Sequence, residues 1–303
     1  MTKTRLSIFI LIGFLLGLAA PAWAGYQEGI DAYERGDYDT ALKEFRPLAE
    51  QGHAWSQCNL GWLYGEGKGV PQDYQEALRW YRLAADQGDA YAQNNLGYMY
   101  ENGEGVPQDY QEALRWYRLA TDKGYATAQY NLGWLYGEGK GVPQDYQEAV
   151  RWYRRAADQG DATAQYNLGW LYGEGKGVPQ DYQEALRWYR LATDQGYAYA
   201  QNNLGYMYEN GEGMPQDYQK ALRWYRLAAD QGEATAQNHL GEMYHDGKGV
   251  QKDSIQAYMW WTLSAEQGFK LAKESLETVE KKVTPAQLAE AQRLAREWKA
   301  KPK

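Results

Sequence analysis

A 36-residue period runs through most of this 303-residue chain and constrains its fold more than any other feature. Leu60-Gly61, Leu96-Gly97, Leu132-Gly133, Leu168-Gly169, Leu204-Gly205 and Leu240-Gly241 follow one another at that step. Trp80, Trp116, Trp152, Trp188, Trp224 and Trp260 keep it, as do Tyr64, Tyr100, Tyr136, Tyr172, Tyr208 and Tyr244. Six full units therefore occupy 53–88, 89–124, 125–160, 161–196, 197–232 and 233–268. They hold 27 of the 33 glycines, so the glycine excess belongs to the repeat and not to linkers. Length alone suggests two ordinary domains, but a unit this short buries its apolar face only against its neighbours, so one stacked array is expected.

The unit 89–124 shows how each copy folds. Ala92, Leu96 and Tyr100 recur at i, i+4 and i+8, one face of a first helix, and Gly97 removes a side chain where another helix approaches. The run 102–107, with Gly103, Gly105 and Pro107, breaks that pattern, and Gly103 suits the left-handed position after a helix. Asp109 then predicts an N-cap, with Glu112 three residues on to complete a capping box. The second helix buries Ala113, Trp116, Tyr117 and Ala120, and Gly124 closes it. Each unit is thus a helical hairpin in which large aromatics face Ala and Gly.

The pattern A-x-x-x-L-G-x-x-Y-x-x-G-x-G-V-P-x-D-Y-x-x-A-x-x-W-Y-x-x-A-A-x-x-G resembles the Sel1-like repeat, a relative of the tetratricopeptide repeat, over residues 53–268. The resemblance implies an all-α fold, a right-handed α/α solenoid of stacked helical hairpins. Residues 25–52 resemble the second half of a unit through Gly36-Asp37-Tyr38, Ala41-Leu42, Phe45 and Gly52, and are expected to form an N-terminal half-repeat cap. After Gly268 the pattern decays; Thr284-Pro285 opens a last helix to about Trp298, making 269–303 the expected C-terminal cap. About thirteen short helices are expected. Cysteine-rich members of the family carry paired cysteines in each repeat; with Cys58 alone, their disulfide staples do not transfer.

Residues 1–24 read as a secretory signal peptide. Lys3 and Arg5 precede an apolar run from Leu6 to Ala20, shorter than the roughly 20 residues of a membrane span, and Ala22-Trp23-Ala24 places cleavage between Ala24 and Gly25. Gly25 and not a cysteine stands directly after that junction, so a soluble periplasmic or secreted bacterial protein is expected, with no stable membrane insertion once the leader is removed. The formal net charge of −8 becomes two units more negative without Lys3 and Arg5, which argues against nucleic acid as a partner.

Catalytic constellations find little support. Gly65-Glu66-Gly67-Lys68-Gly69 lacks the Walker spacing and the following Ser or Thr, and Glu104 replaces the lysine in the next unit, so it reads as a turn. His239, Glu242 and His245 step by three residues and splay around a helix, unlike paired metal ligands at i, i+4. Cys58 has no histidine in register, which leaves a small packing residue or, if exposed, a route to intermolecular disulfides. Asp73, Asp109, Asp145, Asp181, Asp217 and Asp253 are the same N-cap six times over. No enzyme, cofactor or metal is expected.

Binding is the remaining possibility, and the positions that differ between near-identical units point to it. Tyr91, Asn94, Tyr98, Glu101 and Asn102 fall within about 100° on the side of the first helix away from Ala92, Leu96 and Tyr100. In the tetratricopeptide relatives that face lines the concave groove, and the resemblance implies the same here. The series Trp62, Tyr98, Trp134, Trp170, Tyr206, Glu242 and the series Cys58, Asn94, Tyr130, Tyr166, Asn202, Asn238 predict an aromatic ladder interspersed with polar groups. Trp55, Tyr199 and Glu209 complete the candidate groove. Two roles for these rings stand side by side: contact with a ligand, or packing between first helices. A protein or peptide segment, bound in envelope assembly or host contact, is the expected partner, with cell-wall glycan as the alternative.

Overall fold

The computed structural model describes residues 20–280 and 283–299, and all regular structure among them is α-helical. The chain divides into two compact units, Met1–Lys123 and Gly124–Lys303. The first contains α1 (Ala20–Glu34), α2 (Tyr38–Glu50), α3 (Ala54–Glu66), α4 (Tyr74–Asp86), α5 (Ala90–Asn102) and α6 (Tyr110–Asp122). The second contains α7 (Ala126–Glu138), α8 (Tyr146–Asp158), α9 (Ala162–Glu174), α10 (Tyr182–Asp194), α11 (Ala198–Asn210), α12 (Tyr218–Asp230), α13 (Ala234–Asp246), α14 (Ser254–Glu266), α15 (Lys270–Glu280) and α16 (Pro285–Lys299). Within each unit, odd and even helices pair as hairpins and each even helix packs on the next odd one, while α15 and α16 cover α14. This is the α/α solenoid of stacked hairpins.

The helix ends follow from local chemistry. Asp109 Oδ1 accepts the backbone N–H of Gln111 at 2.9 Å and of Glu112 at 3.1 Å, a cap worth about 1 kcal/mol. The reciprocal half of the box does not form: Glu112 turns to Arg115 at 3.3 Å, because the N–H of Asp109 is already donated to the carbonyl of Tyr100 at 2.8 Å. Two loop glycines do different work. Gly175, at φ 66°, caps α9 in the left-handed region that disfavours a Cβ. Gly177, at φ 71°, lies against the preceding hairpin, where a Cβ would collide with the carbonyl oxygen of Tyr146.

The core of the first helix differs from the expected stripe. Ala92 and Leu96 are fully buried, but the next buried residue is Met99, while Tyr100 is half-buried with its hydroxyl bonded to Arg82. At 3.6 residues per turn, i+7 stays on the stripe and i+8 drifts to its edge. Gly97 faces Tyr117, whose ring would lie 2.6 Å from a Cβ there. A buried glutamine that the periodicity does not announce ties the hairpins together. Gln57 Nε2 donates to the carbonyl of Ala49 at 3.0 Å, and its Oε1 accepts from Gln87 Nε2 at 2.7 Å. Gln165 does the same with Ala157 and Gln195 at 3.1 and 2.9 Å. At Gln93 the sequence breaks the pattern, since Lys123 stands where the donor glutamine belongs, and Gln93 Oε1 is buried without a partner.

The N-terminal half-repeat is a whole hairpin. Gly29 meets Phe45 as Gly61 meets Tyr81, so α1 corresponds to α3 at a spacing of 32 residues while α2 corresponds to α4 at 36. The connecting loop is four residues shorter, which hides α1 from a search at constant period, and sixteen helices result among the described residues. Most of the expected leader, residues 1–19, lies outside the described residues, and the expected Ala24–Gly25 junction falls inside α1. No helix among the described residues is long and apolar enough to cross a membrane. At the other end, Thr284 and Gln287 form a full capping box, with Gln287 Oε1 accepting the Thr284 N–H at 2.9 Å.

Candidate functional site: recurring cavities between first helices

The same cavity opens three times between one hairpin and the first helix of the next. In the first unit, about 210 Å³ lies between Trp62 and Tyr98, with Tyr81 and Asn95 in its wall. In the second unit, about 310 Å³ lies between Trp134 and Trp170, and about 370 Å³ between Trp170 and Tyr206. The corresponding walls are Tyr153 with Asn167 and Tyr189 with Asn203.

One glycine makes room for each. Gly65, Gly137 and Gly173 sit in the last turn of α3, α7 and α9, where a side chain would project over Tyr81, Tyr153 or Tyr189. A Cβ on Gly137 would approach the Tyr153 hydroxyl at 3.9 Å. In two of the other three repeats, glutamate replaces that glycine and reaches the same tyrosine, Tyr117 donating to Glu101 at 2.7 Å and Tyr225 to Glu209 at 2.9 Å, while the sixth carries His245. The exchange of Gly for Glu at this position was a legible signal for the cavities, yet the tyrosines behind it read simply as core. Burial pushes the hydroxyls of Tyr153 and Tyr189 far above the tyrosine range, so they serve as neutral hydrogen-bonding groups. Asn203 Nδ2 donates to the Tyr189 hydroxyl at 3.0 Å and fixes it.

The expected site residues divide between the cavities and other places. Trp62, Tyr91 and Tyr98 line one cavity; Tyr130, Trp134, Tyr166, Trp170 and Tyr199 line another; Trp170, Asn202 and Tyr206 line the third. Tyr98, Tyr199 and Tyr206 are about half exposed, at 48%, 54% and 45%. Tyr166 packs on Tyr197 and Tyr199 at ring separations of 5.5 and 6.0 Å. Trp55 is exposed but stands apart, against Tyr26 and His53. Glu101 and Glu209 are half-buried and engaged by tyrosine hydroxyls, and Glu209 also pairs with Lys248 at 3.1 Å.

Asn94 and Asn202 lie deeper than the other residues of the variable arc. Both are buried, at 6% and 8% exposure, and so is Cys58 at 6%. A first helix is covered by its own second helix and by flanking hairpins, so its buried sector is wider than the single face a helical wheel assumes. Burial holds the Cys58 thiol well above its ordinary range, which suits packing and not surface disulfide exchange. His239 and Glu242 approach at 3.4 Å while His245 turns to the Trp261 ring at 5.5 Å, and no group of three metal-ligating side chains assembles among the described residues.

The Sel1 repeat model matches residues 56–89, 90–125, 126–161, 162–197, 198–233 and 234–269. Comparison with curated proteins finds no match. Among solved structures, a Sel1 repeat protein from Oxalobacter formigenes is 35% identical with a TM-score of 0.74, covering 79% of this chain and 96% of its own. The protective antigen c5321 of uropathogenic Escherichia coli strains, which displays an SLR fold, is 32% identical with a TM-score of 0.59. That match covers 91% of this chain and 68% of the antigen. Sel1 and tetratricopeptide-like repeats are scaffolds that generally mediate protein–protein contact. With six matching repeats over most of its length, the chain belongs to the Sel1 repeat family.

Proposed function

We propose that this chain is an exported, non-catalytic scaffold of the bacterial cell envelope that holds a partner protein segment along its first-helix faces. The observation that carries this reading is the recurrence of one cavity type, with aromatic walls and a Tyr and Asn interior, in three repeats. Cavities of this kind, two of which share Trp170 as a wall, suit side chains entering from an extended segment. Rigid Trp and Tyr walls give contact area at little entropic cost, and the buried hydroxyls and amides orient the entering group. Export rests on the leader-like residues 1–24, and the non-catalytic role on the absence of a nucleophile and base in the sequence pattern.

The test is crosslinking in the native envelope. Tyr98→Ala and Tyr206→Ala remove half-exposed cavity walls, so helicity should hold while crosslinks to the partner are lost. Crosslinks that persist in the double variant would refute the reading. A saturable tryptophan-fluorescence response to peptidoglycan fragments would replace the protein segment by glycan.

A further inference from the structure

Two of the three cavities differ from the third in charge, and the chain itself shows what that difference means. At the loop position following each first helix the chain carries Lys68, Glu104, Lys140, Lys176, Glu212 and Lys248. At two of the lysines the ammonium returns to aromatic rings, and at Lys176 those rings line a cavity. Lys176 Nζ lies 4.2 Å from the centroid of Trp170 and 5.6 Å from that of Tyr146, and Lys68 Nζ lies 5.6 Å from that of Tyr38. Lys248 pairs with Glu209 and Asp246 at 3.1 and 3.8 Å. These rings and carboxylates therefore form a cation-holding site which several repeats fill from within.

At Glu104 and Glu212 the same framework carries a carboxylate instead. Around Glu212 stand Trp170, Tyr182 and Tyr206, with Glu174 adding a second carboxylate. Around Glu104 stand Trp62, Tyr74 and Tyr98, with Glu66 in the same role. Burial first, and then the neighbouring Glu174 or Glu66, raises Glu212 and Glu104 above the ordinary carboxylate range, the mark of two like charges sharing a desolvated mouth. A second observation is independent of these acids. Asn202, only 8% exposed and lining the larger cavity, donates through Nδ2 to Asn203 at 3.2 Å, which leaves its Oδ1 as a buried acceptor without a partner. His239, which also lines that cavity, is stacked on Tyr225 and paired with Glu242.

We propose that the cavities at Glu66/Glu104 and Glu174/Glu212 are receptor sites for a lysine or arginine side chain of the partner segment, which takes the place held elsewhere by the chain's own lysine. Aromatic faces attract a desolvated cation and paired carboxylates neutralise it, and at the Glu174/Glu212 cavity the unpartnered Asn202 Oδ1 stands in the wall. The inference rests on the segment-binding reading above and names the chemistry of the segment: basic, entering a surface that is acidic where it binds.

The purified full chain is titrated with a blocked Gly-Gly-Lys-Gly-Gly peptide and with its norleucine counterpart, by calorimetry and tryptophan fluorescence. The lysine peptide should bind at least tenfold more tightly. Glu104→Lys with Glu212→Lys should weaken it at least tenfold at unchanged helicity, since lysine is the residue that sister repeats carry there. Lys176→Glu should add one binding site. Equal binding of the two peptides, no saturable binding of the lysine peptide, or unchanged affinity in the double lysine variant would overturn the proposal. In the envelope, crosslinks lost in the Tyr98 and Tyr206 variants but kept in the double lysine variant would leave segment binding standing and remove the cation site. Crosslinks kept in both would remove the two together.

Discussion

Two glycines four residues apart in α7 should respond to alanine with opposite signs. A Cβ on Gly133 would lie 2.8 Å from Tyr153 Cδ1 and 3.3 Å from the carbonyl oxygen of Ala149. Tyr153 is 5% exposed and has no room to retreat, so overpacking of about 1–3 kcal/mol should outweigh the helix-propensity gain of about 0.5–1 kcal/mol. A Cβ on Gly137 instead meets Ala149 Cβ at 3.6 Å, an ordinary contact. Gly137→Ala should therefore stabilise by about 0.5 kcal/mol, reduced from the full propensity value because the site is in the last turn. Gly133→Ala should destabilise by about 0.5–2 kcal/mol. Urea unfolding followed by tryptophan fluorescence, with both variants at the wild-type m-value, reads the difference directly. If Gly133→Ala proves as stable as Gly137→Ala, close helix approach is not what keeps glycine at 133. The same Gly137→Ala variant places a methyl group over the Tyr153 hydroxyl, so a gain in stability would mean that glycine is held there for the cavity and not for the fold.

Other consequences are open to equally simple measurements. Lys123→Gln should supply the missing donor to Gln93 Oε1 and stabilise by about 0.5–1.5 kcal/mol, seen as a higher urea midpoint; a lower midpoint would count against the glutamine ladder. His53 caps α3 by accepting the Ser56 N–H through Nδ1 at 3.3 Å, and burial lowers its pKa. Because the folded state disfavours the proton, this contribution is present above the ordinary histidine range and is lost as pH falls through the lowered pKa. His53→Asp, the residue that Asp89 and Asp161 provide at equivalent caps, should flatten the loss of stability as pH falls below the ordinary histidine range. An unchanged slope would refute the role of His53.

Much of the fold was legible because each repeat restates the same local chemistry. The period, the Asp N-caps, the left-handed loop glycines, and Trp116 and Tyr117 against Gly97 all follow from residue type and spacing, and the structure places them as those rules require. The candidate site was less legible. Trp62, Tyr98, Trp134, Trp170 and Tyr206 do border cavities, and Asn202 does so from a buried position, but Asn94 is interior and Glu101 and Glu209 bind tyrosines. A helical wheel assigns one buried face, whereas these helices are packed from several directions. The α1 hairpin was missed for a different reason: a four-residue shortening of its loop moves it off the period without changing how it packs.

The sequence by itself determined that this chain is a run of helical hairpins, because capping, turn geometry and hydrophobic spacing act over a few residues and repeat. Only the tertiary structure decided which aromatics wall a cavity and which fill the core, since that depends on the distance between consecutive hairpins. The same is true of the loop lysines and glutamates. In sequence Lys176 and Glu212 are equivalent positions in a turn; in space one ammonium rests on Trp170 and Tyr146, while one carboxylate joins Glu174 beside Tyr182 and Tyr206. Charge acquires its meaning there from neighbours about 30 residues away along the chain, which packing alone brings together.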